Sequence, residues 1–298
     1  MSDFQTWEQQ AHAEQWLLFP ENIGKRLSID ETAFSDGELY TFLTNKDGHC
    51  GKGSIVAIVQ GTDSKSVIEV LRKIPEEQRN MVEEVTLDMA NSMEKIVRKS
   101  FKKAKLVIDR FHVQQLINDA TQELRISLRW DAMDGENILR KMAKRAHTSF
   151  IVKVFENGDT RKQLLARSRF LLFKSGEKWT QSQRLRAKIL FENYPQLQQA
   201  YSISHSLRMI YSKNFTKESG KQALRNWYEK VKEMNLNSFD TVARTVQANE
   251  DEILNYFINR STNASAESFN AKIKFFRASL RGIQDKKFFL YRLAKLYG

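Results

Sequence analysis

The stretch KLVIDRFHVQQL, residues 105–116, decides the fold. Leu106, Val107 and Ile108 run directly into Asp109, Arg110, Phe111 and His112, and a new apolar period starts at Val113. A short apolar run of this kind reads as a buried strand, KLVIDRF (105–111). VQQLINDATQELRISLRW (113–130) reads as a long amphipathic helix. An acid, a base and an imidazole at such a junction mark either a solvated strand end or a site at the carboxyl edge of a sheet.

The segments upstream continue the pattern. RLSIDET (26–32), ELYTFLT (38–44) and SIVAIVQ (54–60) read as strands, and NKDGHCGKG (45–53), with its three glycines and an Asp-Gly step, as a hairpin connection. SKSVIEVLRKIP (64–75) reads as a helix capped by Asp63 or Ser64, and EEVTLDM (83–89) as a strand. NSMEKIVRKSFKKA (91–104) reads as a helix with Asn91 or Ser92 as its cap. The order β-β-β-α-β-α-β-α predicts an α/β fold with a mixed sheet, the element order of a ribonuclease-H-like core. From about 131 to 260 the signals are almost all helical. The expected organisation is a lead-in (1–24), the first part of the core (25–130), a basic, all-helical insertion (131–260) and a C-terminal helix completing the core (261–298).

Composition narrows the class. The chain has 298 residues, with 48 Lys+Arg against 36 Asp+Glu and a net charge of +12, which favours a polyanionic partner such as nucleic acid. The excess is concentrated: residues 140–188 hold 14 basic residues against Glu156, Asp159 and Glu177, a local net of +11. Aromatic residues interleave there, of which Phe170 and Phe173 read as core. Cys50 is the single cysteine, so an internal disulfide and a multi-cysteine zinc site are both excluded, and a reducing compartment fits. His49-Cys50 reads as part of an ordinary hairpin. No apolar run is long enough to predict a membrane span, and the N-terminal residues do not read as a signal peptide.

Three acids, Asp30, Asp88 and Asp109, stand where a strand pattern calls for apolar or turn residues. Carboxylates brought together repel one another, and a divalent cation with hard oxygen ligands, magnesium or manganese, relieves that repulsion. A fourth acid lies in NASAESFNAKIKFFRASL (263–280), where Glu267, Asn270 and Lys274 share one helical face. Two strand aspartates and one helix glutamate suit two-metal chemistry at phosphorus.

SIDET, VTLDMANSM, KLVIDRFHV and NASAESFNAKIK, in this order, resemble the DDE insertion-sequence transposases of the IS-L-three branch, as do residues 169–203 and 253–267. The resemblance covers about residues 25–295. It implies Asp30, Asp88 and Glu267 as catalytic acids and ligands of two Mg2+ or Mn2+ ions. It implies supporting roles for Asp109, His112, Asn270 and Lys274, with His112 contacting the scissile phosphate or orienting a neighbour. Arg167, Arg169, Lys174, Arg184, Arg186, Lys272 and Arg277 would hold DNA backbones. The implied function is cleavage at element ends followed by attack of the freed 3′-hydroxyl on target DNA, in a bacterial cytoplasm, near the nucleoid, by an oligomer assembled on DNA. Two departures stand out. Ala264 and Ser268 occupy positions commonly glycine in the family, and only 29 residues precede Asp30 where relatives usually carry a zinc-binding segment and a helix-turn-helix. A separate DNA-binding polypeptide or a truncation would account for the latter. A ribonuclease-H-like nuclease such as a junction resolvase, and an inactive or domesticated DNA-binding protein, are the alternatives. If a polyanion-binding surface is present, affinity for duplex DNA should fall steeply with salt, with a log–log slope of about −0.9 per phosphate contact. A salt titration of binding that stays flat would refute it.

Overall fold

The computed structural model describes residues 2–34 and 37–298, and its chain divides into two compact units. The first takes in Met1–His112 and Asn249–Gly298, the second Val113–Ala248. The boundaries expected at 130 and 260 thus lie away from this division: α5 (Arg110–Arg145) runs from the first unit into the second.

In chain order the first unit opens with α1 (Ser2–Gln5), β1 (Trp16–Leu18), β2 (Arg26–Ala33), β3 (Leu39–Asn45) and β4 (Ile55–Gln60). It continues through α2 (Ser64–Leu71), α3 (Glu76–Arg79), β5 (Glu84–Leu87), α4 (Asn91–Ser100) and β6 (Lys105–Ile108). The sheet order is β1-β4-β3-β2-β5-β6. The hairpin-linked strands β2, β3 and β4 are antiparallel, while β5 and β6 join β2 in parallel through helical crossovers. This mixed sheet is compatible with the ribonuclease-H-like fold expected from the sequence. β1, hidden in the presumed lead-in, is an addition: three residues are too few to show alternation, and pairing to β4 makes them a strand.

Both faces of the sheet are covered. Leu27, Ile29, Val85 and Leu87 pack with α2 and α4 residues such as Leu71 and Ile96 in one core. Tyr40, Phe42 and Ile58 pack on the other face with Phe269, Ile273, Phe289 and Leu293. β5 and β6 end earlier than expected because Asp88 and Asp109 serve turns. The Asp88 carboxylate accepts from the Ala90 N–H at 2.9 Å, ahead of α4. Asp109 accepts from the Phe111 N–H, so the helix begins at Arg110 rather than Val113.

The second unit continues α5 with α6 (Arg161–Arg167), α7 (Gln181–Asn193), α8 (Pro195–Ser212), α9 (Lys217–Met234) and α10 (Asn237–Ala248). Thr160, Thr180 and Thr216 open α6, α7 and α9 with reciprocal capping boxes. Leu164, Leu171, Leu190 and Leu197 form a core against Leu124 and Leu128 of α5. Phe170, read from sequence as core, is 67% exposed, with the Arg169 guanidinium 5.4 Å from its ring centre. Arg167 and Arg186 both pair with Asp159, which is fully buried. Burial pushes that carboxyl up, but the two guanidiniums outweigh it and hold it below the usual range. Arg169, Lys174 and Arg184 are exposed.

The chain returns to the first unit through α11 (Glu250–Leu254), α12 (Tyr256–Asn259), α13 (Ala264–Ser279) and α14 (Lys286–Tyr297). No helix among the described residues is long and apolar enough to cross a membrane. The seat of α13 is set by Phe269, 1% exposed, whose ring lies 5.1 Å from Tyr297 and 6.1 Å from Phe42. Phe269→Ala should cost about 3–5 kcal/mol, the usual range for a buried phenylalanine. Urea unfolding checks this, and a loss below about 1 kcal/mol would mean that α13 is not held by this ring.

Candidate active site

On β2, Ser28, Asp30 and Thr32 are two residues apart and face the same side of the sheet. Ser28 pairs with Thr86, and Leu87 with Ile108, in parallel register. Carried two residues on, the first pairing sets Asp30 level with Asp88 on the neighbouring chain segment. Asp109 stands next in the row, its N–H donating to Leu87 O at 2.9 Å. Adjacent strands lie about 4.8 Å apart. Asp30, within β2, is thus level with Asp88 and Asp109, which directly follow β5 and β6.

Helix α13 is laid onto this edge by paired side chains. Ser28 Oγ donates to Asn263 Oδ1, and the Asn263 N–H donates to Asp109 Oδ1 at 3.1 Å. Two turns further on, Thr32 Oγ1 donates to Asn270 Oδ1 at 2.6 Å, and Asn270 Nδ2 donates to Asp30 Oδ2 at 2.8 Å. Both ends of the Asn270 amide are thus assigned by its partners. Glu267 lies between these clamps, four residues after Asn263 and three before Asn270, on the same helical face. The hairpin between β3 and β4 adds a third support: Cys50 Sγ donates to Ser265 O at 3.2 Å, and Lys272 Nζ donates to Cys50 O at 2.7 Å. His49 and Cys50 are both left-handed, at φ 49° and 58°, which makes the tight turn that aims the Cys50 carbonyl at α13. Arg277 donates to Phe34 O at 3.0 Å. Lys272 and Arg277, expected to hold DNA, thus fasten the helix, while Lys274 is exposed.

The electrostatics follow from this crowding. Burial pushes the Asp30 carboxyl above the usual carboxylate range and Asp88 adds to the rise, against the Glu31 N–H, His112 and Asn270. Partial desolvation also raises Glu267, although the residue is exposed, with Asp109 and Asp30 adding to it and His112 opposing. Burial raises Asp109, with the Asn263 N–H and His112 opposing. His112 thus lies within electrostatic reach of three acids. Glu31 is raised by burial and by Asp88 and Asp30. Among the described residues no salt bridge reaches Asp30, Asp88 or Glu267.

Of the expected residues, Asp30, Asp88, Asp109, His112, Glu267 and Asn270 share this edge, with Asp88 linked to Asp30 and Glu31, and Glu267 to Asp30, Asp109 and His112. No three His, Cys, Asp or Glu side chains among the described residues form a ready metal cage. The acids stand as a row with one member above it. Sequence reasoning missed Ser28, Thr32, Glu31 and Asn263. Ser28 and Thr32 carried a signal, since polar residues flank Asp30 on the same strand face.

Comparison with known families matches residues 27–293, from β2 to α14, to a family of the IS-L-three type described as Transposase. Comparison with curated proteins gives no match. The matched span takes in all four acids, both asparagine clamps and the whole helical unit. The chain belongs to the IS-L-three family of DDE transposases.

Proposed function

We propose that this transposase cuts a phosphodiester at an element end and joins the freed 3′-hydroxyl to target DNA, with Asp30, Asp88 and Glu267 as its catalytic acids. The observation that carries this reading is that Asp30 lies within electrostatic reach of both Asp88 and Glu267 and is bonded through Asn270 to the helix that bears Glu267. The donor chemistry suits hard divalent cations: oxygen ligands only, mutual repulsion and no salt-bridge partner. Asp30, Asp88 and Glu267 would hold the ions. Bound there, Mg2+ or Mn2+ supplies charge neutralisation and Lewis acidity at phosphorus. The protein's own contribution is positioning. Asn270 fixes the Asp30 carboxylate, Asn263 and Asp109 fix the start of the helix, and His112 lies within electrostatic reach of Asp30, Asp109 and Glu267. Phosphoryl transfer depends chiefly on such positioning and on preorganised charge.

Exposed Arg169, Lys174 and Arg184 of the helical unit, which we read as an insertion into the catalytic core, would contact DNA backbones. Such contacts position DNA but carry no sequence information. A separate DNA-binding polypeptide that recognises the element ends, and an oligomer that pairs them, complete the reading. The reading places the protein in the bacterial cytoplasm, at the nucleoid.

Cleavage and strand-transfer assays on an element-end oligonucleotide test the assignment. Asp30→Asn, Asp88→Asn and Glu267→Gln should each lower both steps by a factor on the order of 10²–10³, as expected for a preorganised group acting in the transition state. Asn270→Ala should lower them less, since it removes a support and not an acid. Activity lost in Asp109→Asn and kept in Asp88→Asn would move the second catalytic role to Asp109. Hydrolysis without joining would make the protein a nuclease.

The raised acids also set a pH signature. Folding raises the pKa of Asp30, Asp109 and Glu267, so just above the ordinary carboxylate range the folded chain binds more protons than the unfolded one. Their contribution to stability is therefore present at low pH and lost as pH rises through that window, from about pH 4 upward. Melting curves without divalent cation should show this loss, and added Mg2+ or Mn2+ should reverse it at neutral pH. In Glu267→Gln the cation-dependent rise should shrink. A rise of wild-type size in that variant would remove Glu267 from the ligand set.

A further inference from the structure

Past the leucine core of the second unit, α5 leaves one side uncovered. Leu124, Leu128 and Ala132 pack on that core, and no residue of the helix after Arg125 is buried. Ile138, Leu139 and Met142 are 58%, 54% and 58% exposed. Beside them a cleft of about 350 Å3 has Gly135, Leu139, Phe150 and Ile151 in its lining, and Ile151 is itself exposed. Single apolar residues are ordinary on a surface, whereas a contiguous patch marks a contact site. Asp131, Asp134, Ile138, Lys141 and Arg145 follow one another at steps of three, four, three and four residues, so they form one stripe along the helix. All five are exposed, and no ion pair among the described residues engages the four charged ones. Glu136, by contrast, is answered within the chain by Arg140 and Lys162.

The stripe is antisymmetric. Two acids precede Ile138 and two bases follow it, and Asp131 and Arg145 each stand seven residues away. A second copy of the helix, laid antiparallel with a two-fold axis at Ile138, brings Asp131 level with Arg145 of the partner subunit. Asp134 then lies within one residue's rise, about 1.5 Å along the axis, of Lys141 of the partner subunit. A parallel pair would set acid on acid and base on base. The acids also repel a phosphate backbone, so the basic half does not make this stripe a DNA contact. Pairing about a two-fold axis through one self-complementary patch is the commonest way for a chain to meet its copy. We propose that this stripe of α5 is a dimerisation surface, on which the same helix of a second copy packs antiparallel with Ile138 at the axis. It gives the oligomer of the proposed function a surface, and it rests on that reading for its purpose alone.

Sedimentation of the full chain, without DNA or metal, tests the surface. The wild-type chain should form a dimer that weakens as salt screens the charge pairs. Asp131→Lys with Asp134→Lys makes the stripe wholly basic, and Lys141→Glu with Arg145→Glu makes it wholly acidic. Each double variant should lower self-association at least about 10-fold, because like charges then face one another. Mixed in equal amounts, the two variants should form a mixed dimer, which a merely structural role of these side chains would not produce. A short bismaleimide should link Ile138→Cys chains to one another and leave Lys144→Cys chains, altered off the stripe, unlinked. That measurement decides the matter if a charge-reversal variant does not fold. A wild-type chain that stays monomeric at every concentration would overturn the proposal. So would a dimer retained by both double variants, a mixture that does not associate, or linking of Lys144→Cys as readily as Ile138→Cys. Because the assay holds no DNA, failure here leaves the assignment of the catalytic acids standing, and failure of that assignment in cleavage assays leaves the dimer standing.

Discussion

The Asn263 junction holds the site together. Ser28 and Asn263 are 235 residues apart in sequence, and Asn263 and Asp109 are 154 apart, yet one asparagine bonds to both at the sheet edge. That contact fixes where the helix bearing Glu267 begins. A helix start pinned to β2 and to the end of β6 fixes the helical phase, and helical geometry then carries Glu267 and Asn270 to the same side. The Asn270 bonds to Thr32 and Asp30 close a second ring of contacts two turns on. Between two such anchors the intervening glutamate has little rotational freedom about the helix axis. The junction also holds unused polarity: Asp109 Oδ2 and Asn263 Nδ2 are buried without partners, an acceptor and a donor on the two residues already bonded to one another.

The sheet face beneath α13 is unusual for a buried surface because part of it is polar. Along β5, Glu84 and Thr86 face the same side, and Lys46 reaches both. Asn259 donates to Glu84 Oε2 at 3.1 Å. Burial lowers the Lys46 pKa and Arg26 adds to the fall, while Glu84 and Asp109 oppose it, so the lysine amine sits below the acid row. Buried polar groups are costly without partners and fix one arrangement when fully partnered. Here asparagines arriving from the far end of the chain supply most of them. The apolar half of the same face, from Tyr40 to Phe289, contributes the burial that makes this arrangement stable.

Much of this was legible in the sequence. The five core strands stand out because their apolar runs are bounded by glycine, acid or helix-cap residues. The acids stand out because each interrupts such a run. The shared face of Glu267 and Asn270 follows from helical spacing alone. What was not legible is what the helix face touches. Nothing local says that the Asn263 side chain meets Ser28 or that its backbone N–H meets Asp109. The same limit hid β1, whose three residues become a strand only beside β4. It also hid the start of α5, where Asp109 both closes a strand and caps a helix.

The basic segment shows the limit most sharply. A count over 140–188 treats its positive charges alike, and folding does not. Arg167 and Arg186 are turned onto Asp159, which has no exposed surface. Removing that acid would leave Arg186 and the more exposed Arg167 without the buried partner that orients them. Their first task is therefore structural, linking the start of α6 to α7. Arg169 sits instead on the exposed ring of Phe170, and Lys174 and Arg184 reach solvent. The electrostatic footprint available to a polyanion is thus smaller than the local net charge of the sequence. It is set by which arginines lack an internal acid to answer, a distinction that only the packed helices make.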